Sequence, residues 1–109
     1  MSVARLIERE FGGRLIVHEK IVSVTVTPVE VVSMNPDRLA LLIQNIGVNN
    51  VYISTKPNVA VGEGLLLLAN GGTIAYHWRE DGYAPLYQWF AIATGDSKLY
   101  VQEYVLIKY

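Results

Sequence analysis

Two histidines, His18 and His77, are the first residues whose chemistry could matter. One motif by which a β-strand carries a metal centre has two histidines one residue apart, so that both point to one side, plus a carboxylate and a third histidine from elsewhere. In the run from Gly72 to Glu80 the position two after His77 is Arg79, and only His18 is left as a further histidine. Too few nitrogen ligands remain, and His77 reads instead as a strand histidine hydrogen-bonded at a sheet surface. Five serines are present (Ser2, Ser23, Ser33, Ser54 and Ser97), none in a nucleophile elbow and none beside a histidine. Glu80 and Asp81 are adjacent, and neighbours on a strand face opposite ways, so with Gly82 they read as a loop rim rather than an acid/base pair. Gly62-Glu63-Gly64 and Gly71-Gly72 lack the following helix and lysine of a phosphate-binding loop. The absence of cysteine excludes disulfides, thiolate metal sites and thiol nucleophiles. No catalytic residue, metal or cofactor is expected.

The aromatic residues carry more information. Nine of the eleven lie after residue 75: Tyr76, Trp78, Tyr83, Tyr87, Trp89, Phe90, Tyr100, Tyr104 and Tyr109. They could fill the core of the C-terminal half. Tyrosine fills a core poorly unless its hydroxyl finds a partner, however, and seven tyrosines stand against two phenylalanines. Tyr and Trp are the residues favoured at protein interfaces, and also on sugar-stacking platforms. Tyr76, Trp78, Tyr83, Tyr87, Trp89, Tyr100 and Tyr104 are therefore the candidate interface residues.

The elements that must position them are mostly strands. After Gly13 the chain turns to Val, Ile, Thr and Tyr, punctuated every eight to twelve residues. Nine strands are predicted, over 14–19, 21–27, 29–33, 38–46, 50–55, 64–68, 73–79, 86–94 and 98–107. Pro28 marks a bulge or a change of sheet. Gly47–Asn50 and Gly95-Asp96 read as hairpin turns. Strand 38–46 is apolar on both faces and is expected to be central and covered on both. In the last strand Leu99, Val101, Val105 and Ile107 share one face, against Tyr100, Gln102 and Tyr104. The preceding strand sets Leu86, Phe90 and Ile92 against Tyr87 and Trp89, so the two strands would form a hairpin with an outward aromatic face. The pattern predicts an all-β, single-domain sandwich or jelly-roll over residues 14–109.

Residues 1–13 read as a short helix or arm. Val3, Leu6, Ile7 and Phe11 have helical spacing, Ser2 can cap, and Gly12-Gly13 ends the pattern. The stripe of Leu6, Ile7 and Phe11 is too small to fold alone and must lie on a neighbouring subunit or on its own domain. The opening segment has two glutamates and no apolar stretch of the kind a secretory signal carries, and the run Leu65–Ala69 is far too short to span a membrane.

Charged residues make up only 17% of the chain against 51% hydrophobic, which excludes disorder and leaves little charge to cover the outside. Residues 1–54 hold five basic and five acidic groups, and residues 55–109 hold four and five. No basic face for nucleic acid can be assembled from so even a distribution.

The segment from Asn35 to Ser54, with Asn35-x-x-Arg38, an apolar strand ending Gln44-Asn45, a Gly/Asn turn and Val51-Tyr52-Ile53, resembles a pattern in small virion-associated proteins of tailed phages and related prokaryotic viruses. Gly64-Leu-Leu-Leu67, Gly71-Gly72 and Val101-Gln102-Glu103 continue the similarity, over residues 35–105. Glu103 falls on the apolar face of its strand, where Arg38 is its expected partner unless it reaches water at the sandwich edge. The resemblance implies a non-enzymatic viral structural protein. It would be a capsid-associated decoration, cement, penton or fibre-base subunit, made in the host cytoplasm and located in the virion. Its partners would be itself, as a trimer or pentamer, and the major capsid or other virion proteins. The alternative is a carbohydrate- or host-receptor-binding module, with Trp78, Tyr83, Tyr87 and Trp89 stacked on sugar rings.

Overall fold

The computed structural model describes residues 2–108, so the aromatic Tyr109 lies outside the described residues. The chain forms a helix α1 (Val3–Phe11), then strands β1 (Gly13–Val24), β2 (Val29–Val32), β3 (Arg38–Asn45), β4 (Val51–Ser54), β5 (Leu65–Leu67) and β6 (Thr73–His77). A one-turn helix α2 (Trp78–Asp81) and a 3-10 turn (Ala84–Leu86) lead into β7 (Trp89–Ala93) and β8 (Ser97–Lys108).

The strands divide into two antiparallel four-stranded sheets. Sheet A has the order β1-β8-β3-β6, and sheet B has the order β2-β7-β4-β5. Every connection between consecutive strands crosses from one sheet to the other except the β4–β5 hairpin, which is the winding of a jelly-roll. The all-β sandwich with a short N-terminal helix is therefore the fold of the chain.

Several local expectations are corrected. The first two predicted strands are one continuous twelve-residue strand, β1, paired with β8 along its whole length from Gly13↔Lys108 to Val24↔Ser97. Pro28 stands where the chain passes from sheet A to sheet B, and Val26, beyond the end of β1, is exposed. Gly47–Asn50 and Gly95-Asp96 are not hairpin turns, because β3 and β4, like β7 and β8, lie in different sheets. The strand expected over 73–79 stops at His77, where α2 begins.

The core lies between the sheets. Leu41, Ile43, Leu99 and Val101 of sheet A meet Val51, Ile53, Trp89, Ala91 and Ala93 of sheet B. Each fully buried aliphatic side chain contributes about 1.5–3 kcal/mol relative to exposure. Strand β3 is central, but its outer face (Ala40, Leu42 and Gln44) is only half-buried, so one side of it lacks the cover its composition suggested.

Polar side chains lock the ends of the sandwich. Asn45 is fully buried and uses both ends of its amide. Its Nδ2 donates to the carbonyls of Asn49 (2.8 Å) and Leu67 (3.0 Å), and its Oδ1 accepts from Gly47 N (3.0 Å) and Ser97 Oγ (2.9 Å). One side chain thereby ties both sheets to the 47–49 turn. Glycine is required at position 47, because a Cβ there would run into Ser97 Oγ and lie 2.6 Å from Lys98 N.

Candidate interaction surface

The outer face of sheet A is built by register. Tyr100, Gln102 and Tyr104 alternate with the inward Leu99, Val101 and Glu103 along β8. Antiparallel pairing sets Ile21, Glu19 and Val17 of β1 beside them on one side and Gln44, Leu42 and Ala40 of β3 on the other. The β6 partners Thr73, Ala75 and His77 complete the face. Its polar groups satisfy one another. Tyr100 Oη donates to Glu19 Oε1 (2.9 Å), Gln102 Nε2 donates to Tyr100 Oη (3.2 Å), and Tyr104 Oη donates to Gln102 Oε1 (3.0 Å). The hydrogen bond to the Glu19 carboxylate raises the pKa of Tyr100, because loss of the phenolic proton would set two anions together. Beside this ladder Val17 and Ile21 on β1 and Ala40, Leu42 and Ala75 on β3 and β6 are apolar. Val17 is 49% and Ile21 55% exposed, whereas an isolated domain covers such residues where it can.

A trough crosses the same face. Ala40, Leu42 and Ala75 form its floor, Gln102 and Tyr104 one wall, and Glu80 and Asp81 of α2 the other, enclosing about 290 Å³. A second cleft of about 360 Å³ shares Ala40, His77 and Tyr104 with it and runs under α1, bounded by Ile7, Phe11 and Trp78. The helix thus sits on its own domain through Ile7 and Phe11. Phe11 packs edge-on against Trp78, with ring centres 5.8 Å apart at 87°, and Glu10 faces Arg79 at 3.6 Å. No residue of α1 is buried, however, and Leu6 (49% exposed) and Val3 (72% exposed) overhang the domain. The helix is closed at one end by Ser2 Oγ accepting from Arg5 N and at the other by Gly12 at φ +67°.

The remaining candidates divide between surface and core. Tyr83 and Tyr87 are exposed. Tyr76 points inward and stacks on Trp89, with ring centres 5.2 Å apart at 16°. Burial, and then the charge of Asp81, raises the pKa of Tyr76. Trp89 is a core residue, 7% exposed, with its Nε1 donating to Ala84 O (3.0 Å). Its expected place on an outward aromatic face is corrected. Phe90 and Ile92 take the outer side of sheet B, and Ala91 and Ala93 lie with Trp89 on the inner side. Trp78 is not an open stacking platform either, since Phe11 meets it edge-on and the Arg79 guanidinium lies over its ring at 5.1 Å.

Arg38 and Glu103 meet. Arg38 is 1% exposed and its Nε lies 2.9 Å from Glu103 Oε1, as an ion pair off the hydrogen-bond line. Its Nη1 donates to the carbonyls of Pro85 (3.0 Å) and Tyr87 (3.2 Å), and its Nη2 to that of Ser33. Burial lowers the pKa of this guanidinium, and Glu103 opposes the shift. The group fixes the segment 83–87 to the end of β2, which is a structural task.

His77 caps α2. Its Nδ1 accepts from Arg79 N (3.2 Å) while its own backbone N–H donates to Asp81 Oδ2 (2.9 Å), a reciprocal capping pair. Glu80 and Asp81 followed by Gly82 carried that signal in the sequence. Among the described residues no three His, Asp or Glu side chains cluster to hold a metal, and no helix is long and apolar enough to cross a membrane.

No protein-family model and no curated protein matches the chain. Its fold is similar to a solved structure of Bacillus endospore appendages, described as forming a novel family of disulfide-linked pili. The TM-score is 0.51 at 7% sequence identity, over 86% of this chain and 89% of that one. At that identity the likeness is one of fold alone.

Proposed function

We propose that this chain is a non-enzymatic structural subunit that works by assembling with copies of itself. The observation that carries the reading is the outer face of sheet A, where Val17, Ile21 and Ala75 stay exposed and Leu42 half-exposed around an internally satisfied tyrosine ladder. Such a face is stable in water but gains by being covered, and its hydroxyls need no partner from solvent. The similar appendage structure supports the use of a jelly-roll as a repeating unit. Disulfide linkage cannot serve here, because the chain has no cysteine. Assembly is therefore non-covalent, through many weak contacts multiplied by symmetry.

The assembly we propose is a virion, with the chain as a decoration, cement, penton or fibre-base subunit on the major capsid protein. The sequence pattern from Asn35 to Glu103 supports this placement. The carbohydrate-binding alternative is weaker, since Trp89 is buried and the Trp78 ring is occupied by Phe11 and Arg79. Mass spectrometry of purified particles from cells that make the protein tests the placement. A fixed copy number per particle is expected. Recovery in cell-surface filaments without particles would overturn the virion reading in favour of an appendage.

A further inference from the structure

We infer that the overhanging turn of α1 docks on a second copy of this chain, in the trough on the outer face of its sheet A. This deepens the self-assembly reading and rests on it. The helix carries more apolar surface than its own domain covers. Ile7 and Phe11 face the domain, whereas Val3, one turn before Ile7, and Leu6, about a quarter-turn round the helix from Ile7, stay 72% and 49% exposed. The trough carries the complementary lack. Its floor of Ala40, Leu42 and Ala75 is apolar, the two alanines let a helix approach closely, and no described segment lies over it.

Charge sets the direction. The α2 wall of the trough presents Glu80 and Asp81, neither in an ion pair among the described residues, and α1 presents Arg5 and Arg9, likewise without an acidic partner there. A helix entering with Leu6 downward brings these cations to the acidic wall. The contact is heterologous, helix of one copy to sheet of the next, so it generates a ring or a filament rather than a two-fold dimer. Both clefts share Tyr104 and His77, so the docked turn and the recipient's own α1 would lie side by side along one groove.

The cysteine-free background makes the test direct. In the full chain carrying Leu6→Cys and Ala75→Cys, mild oxidation should give a ladder of covalent multimers, while either single variant gives dimers at most. Leu6→Asp, at a half-exposed side chain on a helix with no fully buried residue, should weaken assembly about tenfold or more with the circular dichroism spectrum unchanged. Glu80→Lys should do the same, with recovery in the combination of Glu80→Lys and Arg9→Glu. If the chain assembles but Leu6→Asp leaves assembly intact and the paired thiols give no ladder, the docking is wrong and self-assembly stands. A chain that stays monomeric at every concentration overturns both.

Discussion

Replacing Arg38 by Met removes the guanidinium that joins four parts of the molecule and keeps most of its volume. Three carbonyls (Ser33, Pro85 and Tyr87) lose their donors, and Glu103, with a side chain only 16% exposed, loses its counter-charge. Hydrogen bonds to a charged group contribute about 1.5–3 kcal/mol each when removed singly, but they share one side chain and do not add. Breaking a buried pair costs about 3–5 kcal/mol, and that is the expected loss for Arg38→Met. Against a total of about 5–15 kcal/mol for a domain of this size, the variant keeps a fold but little reserve. Glu103→Gln leaves the guanidinium bound to its three carbonyls and should cost about 1–2 kcal/mol. The double variant Arg38→Met/Glu103→Leu removes the stranded carboxylate but not the stranded carbonyls, so its stability should fall between those two. Urea unfolding followed by tryptophan fluorescence reads all three, since Trp89 is buried and stacked on Tyr76. An Arg38→Met protein within about 1 kcal/mol of the parent, or a double variant less stable than Arg38→Met, would refute the reasoning.

Asn45→Ala should cost about 3–5 kcal/mol in the same assay, because four hydrogen bonds are lost at a fully buried site, the Leu67 carbonyl losing its side-chain donor and Gly47 N–H its acceptor; a cost below about 1 kcal/mol would mean that water replaces the amide. Tyr100 has its pKa raised in the folded chain by Glu19, so its contribution to stability is complete below the ordinary tyrosine value of 10.0 and is lost as pH rises above it. Ultraviolet titration of tyrosinate should show two late-titrating groups, Tyr76 and Tyr100, of which one disappears in Tyr100→Phe, and an unchanged titration in that variant would contradict the ladder. Deleting residues 2–12 should leave the β-sheet circular dichroism intact at a cost of about 1–3 kcal/mol, since α1 buries no residue fully and its main contact is the Phe11–Trp78 pair. Unfolding of the shortened chain would show instead that α1 belongs to the core.

What the sequence shows of this fold follows from how local each feature is. The helix was legible because Ser2, the 3-4 spacing to Phe11 and Gly12 all act within one short segment. The facing of β8 was legible from Leu99 to Val105, where, Glu103 apart, apolar and polar residues alternate, but Ile107, expected inward, is exposed and its neighbour Leu106 is buried. β7 reads Trp-Phe-Ala-Ile-Ala, apolar at both parities, so alternation says nothing about which side is inward. Its inner side, Trp89, Ala91 and Ala93, comes from pairing with the distant β2 and β4, which no local pattern shows. Sheet membership was not legible, since a tight turn at Gly95-Asp96 looks the same whether it closes a hairpin or carries the chain across the sandwich. The fusion of two predicted strands into β1 has the same origin, as its length comes from pairing with the distant β8. Of the candidate surface, Tyr100 and Tyr104 stood out in the sequence. The trough between Ala40, Ala75 and α2 did not, because three separated segments form it and small residues carry no signal of their own.

The central claim is that the chain assembles with itself through non-covalent contacts. Multi-angle light scattering of the purified protein, across a concentration series from below to above about micromolar, measures it most directly. A mass several times that of the 12.2 kDa chain, reached through a concentration-dependent transition and unchanged by reducing agent, is the predicted result. A constant mass of one chain across the series would contradict the account.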